Sequence, residues 1–287
     1  MKLMIKGFAC FLFCSLVLSG SVFARPAHNY KGERGYKDVV YKDVVYKDIP
    51  LKHDHFEVIG APGIAKLNAN GLSQLGVTSS ETDTLVQTNA NQWDAFAAQL
   101  GVGFVHYFPY GRNYSNNVQW FPSIEPELNV YYLASNSIKG DVWRFNSPAF
   151  NQMTFDIPVH STRLMLDAAL TIASYKKLSF YAIGGIGNAW TSVSYHDTDN
   201  DSTASCPDQR VSLSSHTSTH FTWEAGLGLT YAFNHRVGVS FEYLYANLGR
   251  VNTSGSGNTG TIMAPVLIPA HFNLRTQTGL LGLHIAI

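Results

Sequence analysis

The densest set of groups able to do chemistry lies between residues 196 and 220: His196, Asp197, Asp199, Asp201, Cys206, Asp208, His216 and His220. Asp197, Asp199 and Asp201 form a D-x-D-x-D run that resembles the start of a calcium loop, with Asp208 at its twelfth position. Ser202 stands where such a loop turns on glycine, and the last ligand is Asp where Glu is usual. The expectation is therefore a solvated acidic loop. His53-Asp54-His55 is too small a set without a third ligand. No metal and no cofactor is expected. For nucleophilic catalysis, Glu242 could orient a base such as His220 or His271. No serine sits at a telling spacing from them, and no G-x-S-x-G elbow occurs. The chain reads as non-enzymatic.

The 287 residues carry 20 Lys+Arg against 20 Asp+Glu, and charged residues make up only 14%. About 25% is usual for a soluble domain. A formal charge of zero argues against nucleic acid as a partner. Mean hydropathy is −0.03, too low for a bundle of membrane helices. What remains to explain is an uncharged chain rich in Gly, Tyr and Phe.

Lys2 and Lys6 precede an apolar run from Phe8 to Leu18 and a small-residue pattern ending at Ala24. Residues 1–24 read as a secretory signal peptide cut between Ala24 and Arg25. Cys10 and Cys14 leave with it, so Cys206 has no intramolecular partner. Residues 36–50 repeat YKDVV-YKDVV-YKDIP, and 25–54 reads as a low-complexity leader: a solvated linker, a binding tail or a segment tucked into a barrel.

From His55 onward, alternation with period two predicts eight strands, at 55–69, 93–109, 121–134, 158–172, 178–197, 218–233, 237–251 and 271–287. In 158–172, Leu164, Leu166, Ala168, Leu170 and Ile172 share one face, and Arg163, Met165, Asp167, Ala169 and Thr171 the other. A helix repeats its faces every three to four residues and cannot sustain this. The gaps alternate between long and short, as in a meander with all its long loops (70–92, 135–157, 198–217, 252–270) on one edge. In the final strand, Arg275 and Gln277 share the parity of Leu281 to Ile287. Either 271–277 stands above a membrane or a bulge shifts the register. The first is expected, since about ten residues cross a bilayer.

Alternation alone does not say which face is inside. A secreted soluble barrel would turn the apolar face inward and a membrane barrel outward, and size favours the membrane barrel. An eight-stranded barrel has an interior only just wide enough for side chains. Gly, Ala, Ser and paired charges fit there; rows of Phe, Tyr and Leu do not. By parity the interior holds Glu125, Glu127, Arg163, Asp167, Glu224 and Glu242, a network that is either structural or a gate. Aromatic residues gather at two levels: Trp93, Trp190, Trp223, Tyr243 and Tyr245 toward the long loops, and Phe108, Trp120, Phe121, Tyr231 and Phe233 toward the short turns. These read as the two interfacial belts of a membrane barrel.

The segments FYAIGGIGNAW (180–190), WEAGLGLTYAF (223–233), VGVSFEY (237–243) and GLLGLHIAI (279–287) resemble the small bacterial outer-membrane β-barrel family, akin to the transmembrane domain of outer-membrane protein A and the opacity-type surface proteins. The resemblance covers roughly 55–287. It implies an all-β, eight-stranded antiparallel transmembrane barrel in the cell outer membrane of a Gram-negative bacterium. Its partners would be outer-membrane lipid and lipopolysaccharide, the barrel-assembly machinery during insertion, and a host or surface ligand at the loops. The family usually ends in an aromatic residue, whereas this chain ends in Ile287. The role implied is adhesion, host interaction or envelope integrity. The alternative is a narrow gated or hydrophobic-ligand channel. A lipid-modifying enzyme ranks behind both.

Overall fold

Alternating side chains make the strands, and the pairing of the first strand with the last makes the shape. The computed structural model describes residues 53–72, 75–76, 82–108, 118–199, 210–259 and 269–287. Eight long strands follow one another: β1 (His55–Asn70), β2 (Ala95–Tyr107), β3 (Ser123–Trp143), β4 (Asn151–Tyr175), β5 (Leu178–Asp199), β6 (Val211–Ala232), β7 (Val237–Asn252) and β8 (His271–Ala286). Each pairs antiparallel with the next. β8 pairs back onto β1, from Glu57↔Ala286 to Asn70↔Asn273, so the ring is complete. The fold is all-β, an eight-stranded up-and-down barrel. Among the described residues no helix is long and apolar enough to cross a membrane. In such a barrel the strands do the crossing, because closure leaves no backbone donor unpaired toward lipid.

Local chemistry fixes the tight edge. Lys176-Lys177 joins β4 to β5, with Lys176 at a left-handed φ of 55°. Between β6 and β7, the Asn234 carboxamide oxygen accepts from the amides of Arg236 (2.8 Å) and Val237 (2.9 Å), an Asx turn. Pro126 has no N–H to give to the sheet. The β2–β3 ladder is interrupted there, between Gly103↔Glu127 and His106↔Ile124.

β4 carries the main finding. Its odd-numbered residues face inward from Met153 to Ala169 without a change of register parity. Below Thr162 the outward residues are apolar (Leu164, Leu166, Ala168, Leu170), and the inward ones include Arg163 and Asp167. Above it the pattern reverses. Met153, Phe155, Ile157 and Val159 are buried inside, while Thr154, Asp156 and His160 face out. The same inversion runs round the barrel. Phe56, Phe96, Leu100, Leu128, Phe221, Leu227, Phe241 and Leu281 are exposed on the lower outer face. Ile138, Val193, Tyr195, Leu213, Leu248, Val251, Phe272 and Leu274 pack the upper interior. The ring therefore has a lipid-facing lower zone and a water-facing upper zone with an apolar core of its own. At about 3.4 Å per residue, the 25 residues of β4 are far longer than the roughly ten that cross a bilayer.

Two sequence expectations change. The stretch 135–157 is not a long loop: β3 continues to Trp143 and β4 begins at Asn151, leaving only two short 3₁₀ turns between them. Likewise β6 begins at Val211, inside the expected loop 198–217. A further short strand, Thr82–Gln87, pairs with the top of β3, and Gly257–Thr259 pairs with the top of β6. Much of what reads as loop is strand above the membrane. Arg275 and Gln277 face outward on an unbroken β8, level with Asn68 and Lys66 of β1. The signal segment 1–24 and residues 25–52 of the leader lie outside the described residues. Its last residue, Asp54, is tied to β2, accepting from the Tyr107 amide (3.0 Å) and the His106 ring (2.7 Å). Those two contacts hold the Asp54 carboxyl below its ordinary range.

The boundary at Thr162 has a direct consequence. Leu166→Arg, on the lipid face, should cost about 2–4 kcal/mol of folding stability in bilayers. His160→Arg, six residues higher on the same face, should stay within about 0.5 kcal/mol. Equilibrium denaturant unfolding of the inserted protein measures both.

Candidate functional site

The lumen of the lower barrel is where charge collects. Arg163 on β4 reaches across β5 to Glu224 on β6, at 2.8 Å, and both side chains are almost wholly buried. The guanidinium lies 4.6 Å from the centre of the Tyr131 ring on β3. Tyr131 donates its hydroxyl to Asp167 (3.2 Å), and the Asn129 carboxamide donates to both Asp167 and Glu127 (2.7 Å each). Lower down, Tyr181 and Ser240 donate to the same oxygen of Glu242 (2.7 and 3.1 Å). Glu125 also points inward, and its Oε1 is buried with no hydrogen-bond partner. All six charged residues read by parity thus lie in one lumen.

Glycine makes the room. A Cβ on Gly101 would overlap the Asn129 carboxamide, and one on Gly103 would overlap the Glu125 carboxylate. Both glycines are on β2, facing inward between β1 and β3. The Gly-rich strands are what let a barrel this narrow hold side chains this polar.

Three further interior residues stand outside the set read from the sequence. Glu57 and His55 on β1 and His284 on β8 also face the lumen. His284 contacts Glu57 through Nδ1 (3.0 Å) and Ser240 through Nε2 (3.0 Å), and His55 contacts the other oxygen of Glu57 (2.9 Å). The signal was present, since His284 falls between Leu283 and Ile285 on the opposite parity. The order Ser240–His284–Glu57 is that of an acyl-transfer triad. Ser240, however, is 2% exposed and gives its proton to Glu242, so no acyl group can approach it. The histidine that meets Glu242 is His284, at 3.9 Å, in place of His220 or His271.

The acidic stretch at 196–220 is not a solvated loop where it is described. Asp197 is on β5, 7% exposed, and accepts from the Val211 amide. Burial pushes its carboxyl up to about 7. Asp199 is paired with Arg210 at 2.9 Å. Asp201, Cys206 and Asp208 lie outside the described residues.

The ten aromatic residues read as belts fall on the outer surface or its rims. Trp93, Trp190, Trp223, Tyr243, Trp120, Phe121, Tyr231 and Phe233 are exposed, and Tyr245 and Phe108 half-buried. Trp190 pairs in register with Thr162, at the level where the outer face of β4 changes polarity. Trp223 lies against Tyr245 (5.6 Å between ring centres) and Trp93 against Tyr243 (6.4 Å).

A closed ring of eight strands, greasy outside and polar within, is the build of a transmembrane β-barrel of the outer-membrane type. Residues 73–266, more than half of the chain, match the family described as outer membrane protein beta-barrel domain. The chain belongs to that family. No curated protein matches it. Among solved structures it is similar to Neisserial surface protein A (13% identity, covering 82% of this chain and 99% of that one, TM-score 0.35). It is also similar to the attachment invasion locus protein of Yersinia pestis (10%, 83% and 100%, 0.36) and to outer membrane protein OprG from Pseudomonas aeruginosa (14%, 82% and 97%, 0.39).

The Arg163–Glu224 pair is the sharpest element of the network. Arg163→Met leaves a buried carboxylate without its cation and should cost about 3–5 kcal/mol. Arg163→Met combined with Glu224→Gln should recover most of that loss. Urea unfolding in micelles, read as a double-mutant cycle, checks it.

Proposed function

We propose that this chain is a non-enzymatic surface barrel of the outer membrane, whose job is recognition at the tip of a rigid stalk: adhesion, host interaction or envelope integrity. The observation that carries this is the β3–β4 tip. Phe145 and Phe150 are 54% and 47% exposed there and meet edge to face at 5.9 Å, and the Arg144 guanidinium lies 5.3 Å from the Phe145 ring. Exposed aromatics beside arginine are the chemistry of binding hot spots. The tip is braced. Asp83 accepts from the Phe145 amide (3.1 Å), and Thr84 donates to Asn146 (2.7 Å), which itself donates to Thr82 (3.1 Å). Phe145 and Asn146 hold left-handed φ values of 53° and 57°, a costly conformation that the surroundings must enforce. The ten aromatics at the two rims would anchor the barrel in lipid and lipopolysaccharide. The leader and signal segment fit export and assembly.

A second reading, a narrow gated channel, rests on Arg163 spanning to Glu224. Filled by Tyr131, Met165, Tyr181 and the network itself, the lumen favours a plug.

Cells displaying the full protein should bind epithelial monolayers or immobilised matrix proteins. Phe145→Ser with Phe150→Ser should lower that binding at least about fivefold, in keeping with hot-spot losses, with surface levels unchanged. Planar-bilayer conductance should be negligible both for the unaltered protein and for Arg163→Ala. Discrete channel openings together with unchanged binding would overturn the proposal in favour of the gate.

A further inference from the structure

The lower mouth of the lumen gathers groups for which the plug has no evident use. Glu57, Glu125 and His284 come from β1, β3 and β8, yet one ligand atom of each lies within 4.8 Å of the others. In register, Gly103 of β2 sits between Glu57 and the strand that bears Glu125. Its missing Cβ is what lets the Glu125 carboxylate turn in. The buried Glu125 Oε1 makes no hydrogen bond. Glu242, 2% exposed and 3.9 Å from His284, leaves its Oε2 buried without a partner as well. Among the described residues of the lower lumen, six carboxylates (Glu57, Glu125, Glu127, Asp167, Glu224 and Glu242) outnumber the guanidinium of Arg163 and the imidazoles of His55, His220 and His284. That excess calls for further positive charge.

The ring of His284 is already oriented. Ser240 spends its proton on Glu242, so the Ser240 oxygen receives the Nε2–H of His284. Nδ1 is then the atom presented to Glu57. A metal-bound histidine is characteristically held this way, its second nitrogen donating to an outer partner that fixes the tautomer. His55 holds Glu57 by its other oxygen in the same manner.

We propose that Glu57, Glu125 and the Nδ1 of His284 bind one first-row divalent cation, with Ser240, Glu242 and His55 as the supporting shell. One imidazole and two carboxylates suit zinc or its neighbours, and water would complete the coordination. Glu57 and His55 are only part-buried, which leaves an approach from the lower mouth. The competing description is a plain ion pair in which a doubly protonated His284 bonds Glu57 and Glu125 has no role.

The full-length protein without a polyhistidine tag, purified in micelles and stripped with chelator, is titrated with zinc chloride by calorimetry. Bound metal is counted by elemental analysis after dialysis. The expected result is one zinc per barrel. Glu125→Gln, which keeps the shape and breaks no hydrogen bond, should weaken binding at least about tenfold. Ser240→Ala should weaken it by about 10–100-fold, the usual effect of losing an outer-shell partner. His106→Asn, at a separate imidazole–carboxylate contact with Asp54, should leave it unchanged. Circular dichroism verifies that each variant folds. No retained zinc, or zinc that Glu125→Gln leaves untouched and His106→Asn removes, would overturn the site and leave only the ion pair.

Discussion

Lipid offers the backbone no hydrogen bond, so every strand must find its partners in its neighbours and the last strand must return to the first. That requirement fixes the ring in which β8 lies against β1. With eight strands the ring is narrow, and the narrowness dictates what may point inward. Glycines clear space, and polar side chains interlock over them. Bulky residues are pushed to the outside, where lipid accepts them. The long strands then carry the same ring beyond the membrane. There water wets the outside, and the apolar residues move to the centre. One backbone pattern serves two solvents by exchanging the contents of its two faces, as β4 does at Thr162.

The interior charges follow from the same limit. A charge sealed in a narrow polar lumen must find a partner close by. Arg163 does so with one oxygen of Glu224, and Asp167 accepts from Asn129 and Tyr131 at one oxygen. Asp167, Glu224, Glu125 and Glu242 each keep one buried oxygen without a partner, and what sets the lower mouth apart is the convergence of Glu57, Glu125 and His284. The tip above behaves differently. Its strained Phe145 and Asn146 are held by Asp83, Thr82 and Thr84 from another segment, a brace that the barrel wall alone would not need.

Much of this was legible in the residues. The eight strands, their order and the inward set from Glu125 to Glu242 follow from period-two alternation and the size of the lumen. The upper barrel was hidden by its own inversion. Met153, Phe155, Ile157 and Val159 alternate as clearly as Leu164, Leu166 and Leu170, but on the opposite parity, so a reading that follows one apolar face ends the strand where the phase reverses. His284 and Glu57 were overlooked for another reason. Each lies near a chain end of the barrel, 227 residues apart, and only closure brings them together. The brace at the tip depends on contacts between residues 82–84 and 145–146, which no local pattern encodes.

The most direct test asks which solvent touches which face. Spin labels are placed by Leu128→Cys, Leu166→Cys and Leu227→Cys, and by Asp156→Cys and Ser212→Cys, in a Cys206→Ser background reconstituted in bilayers. Collision with oxygen and with a water-soluble nickel chelate is measured at each. A barrel that crosses the membrane below Thr162 requires oxygen to dominate at the three leucine positions and nickel at the other two. Nickel collisions dominating at Leu128, Leu166 and Leu227, or both reagents excluded there by protein packing, would contradict it.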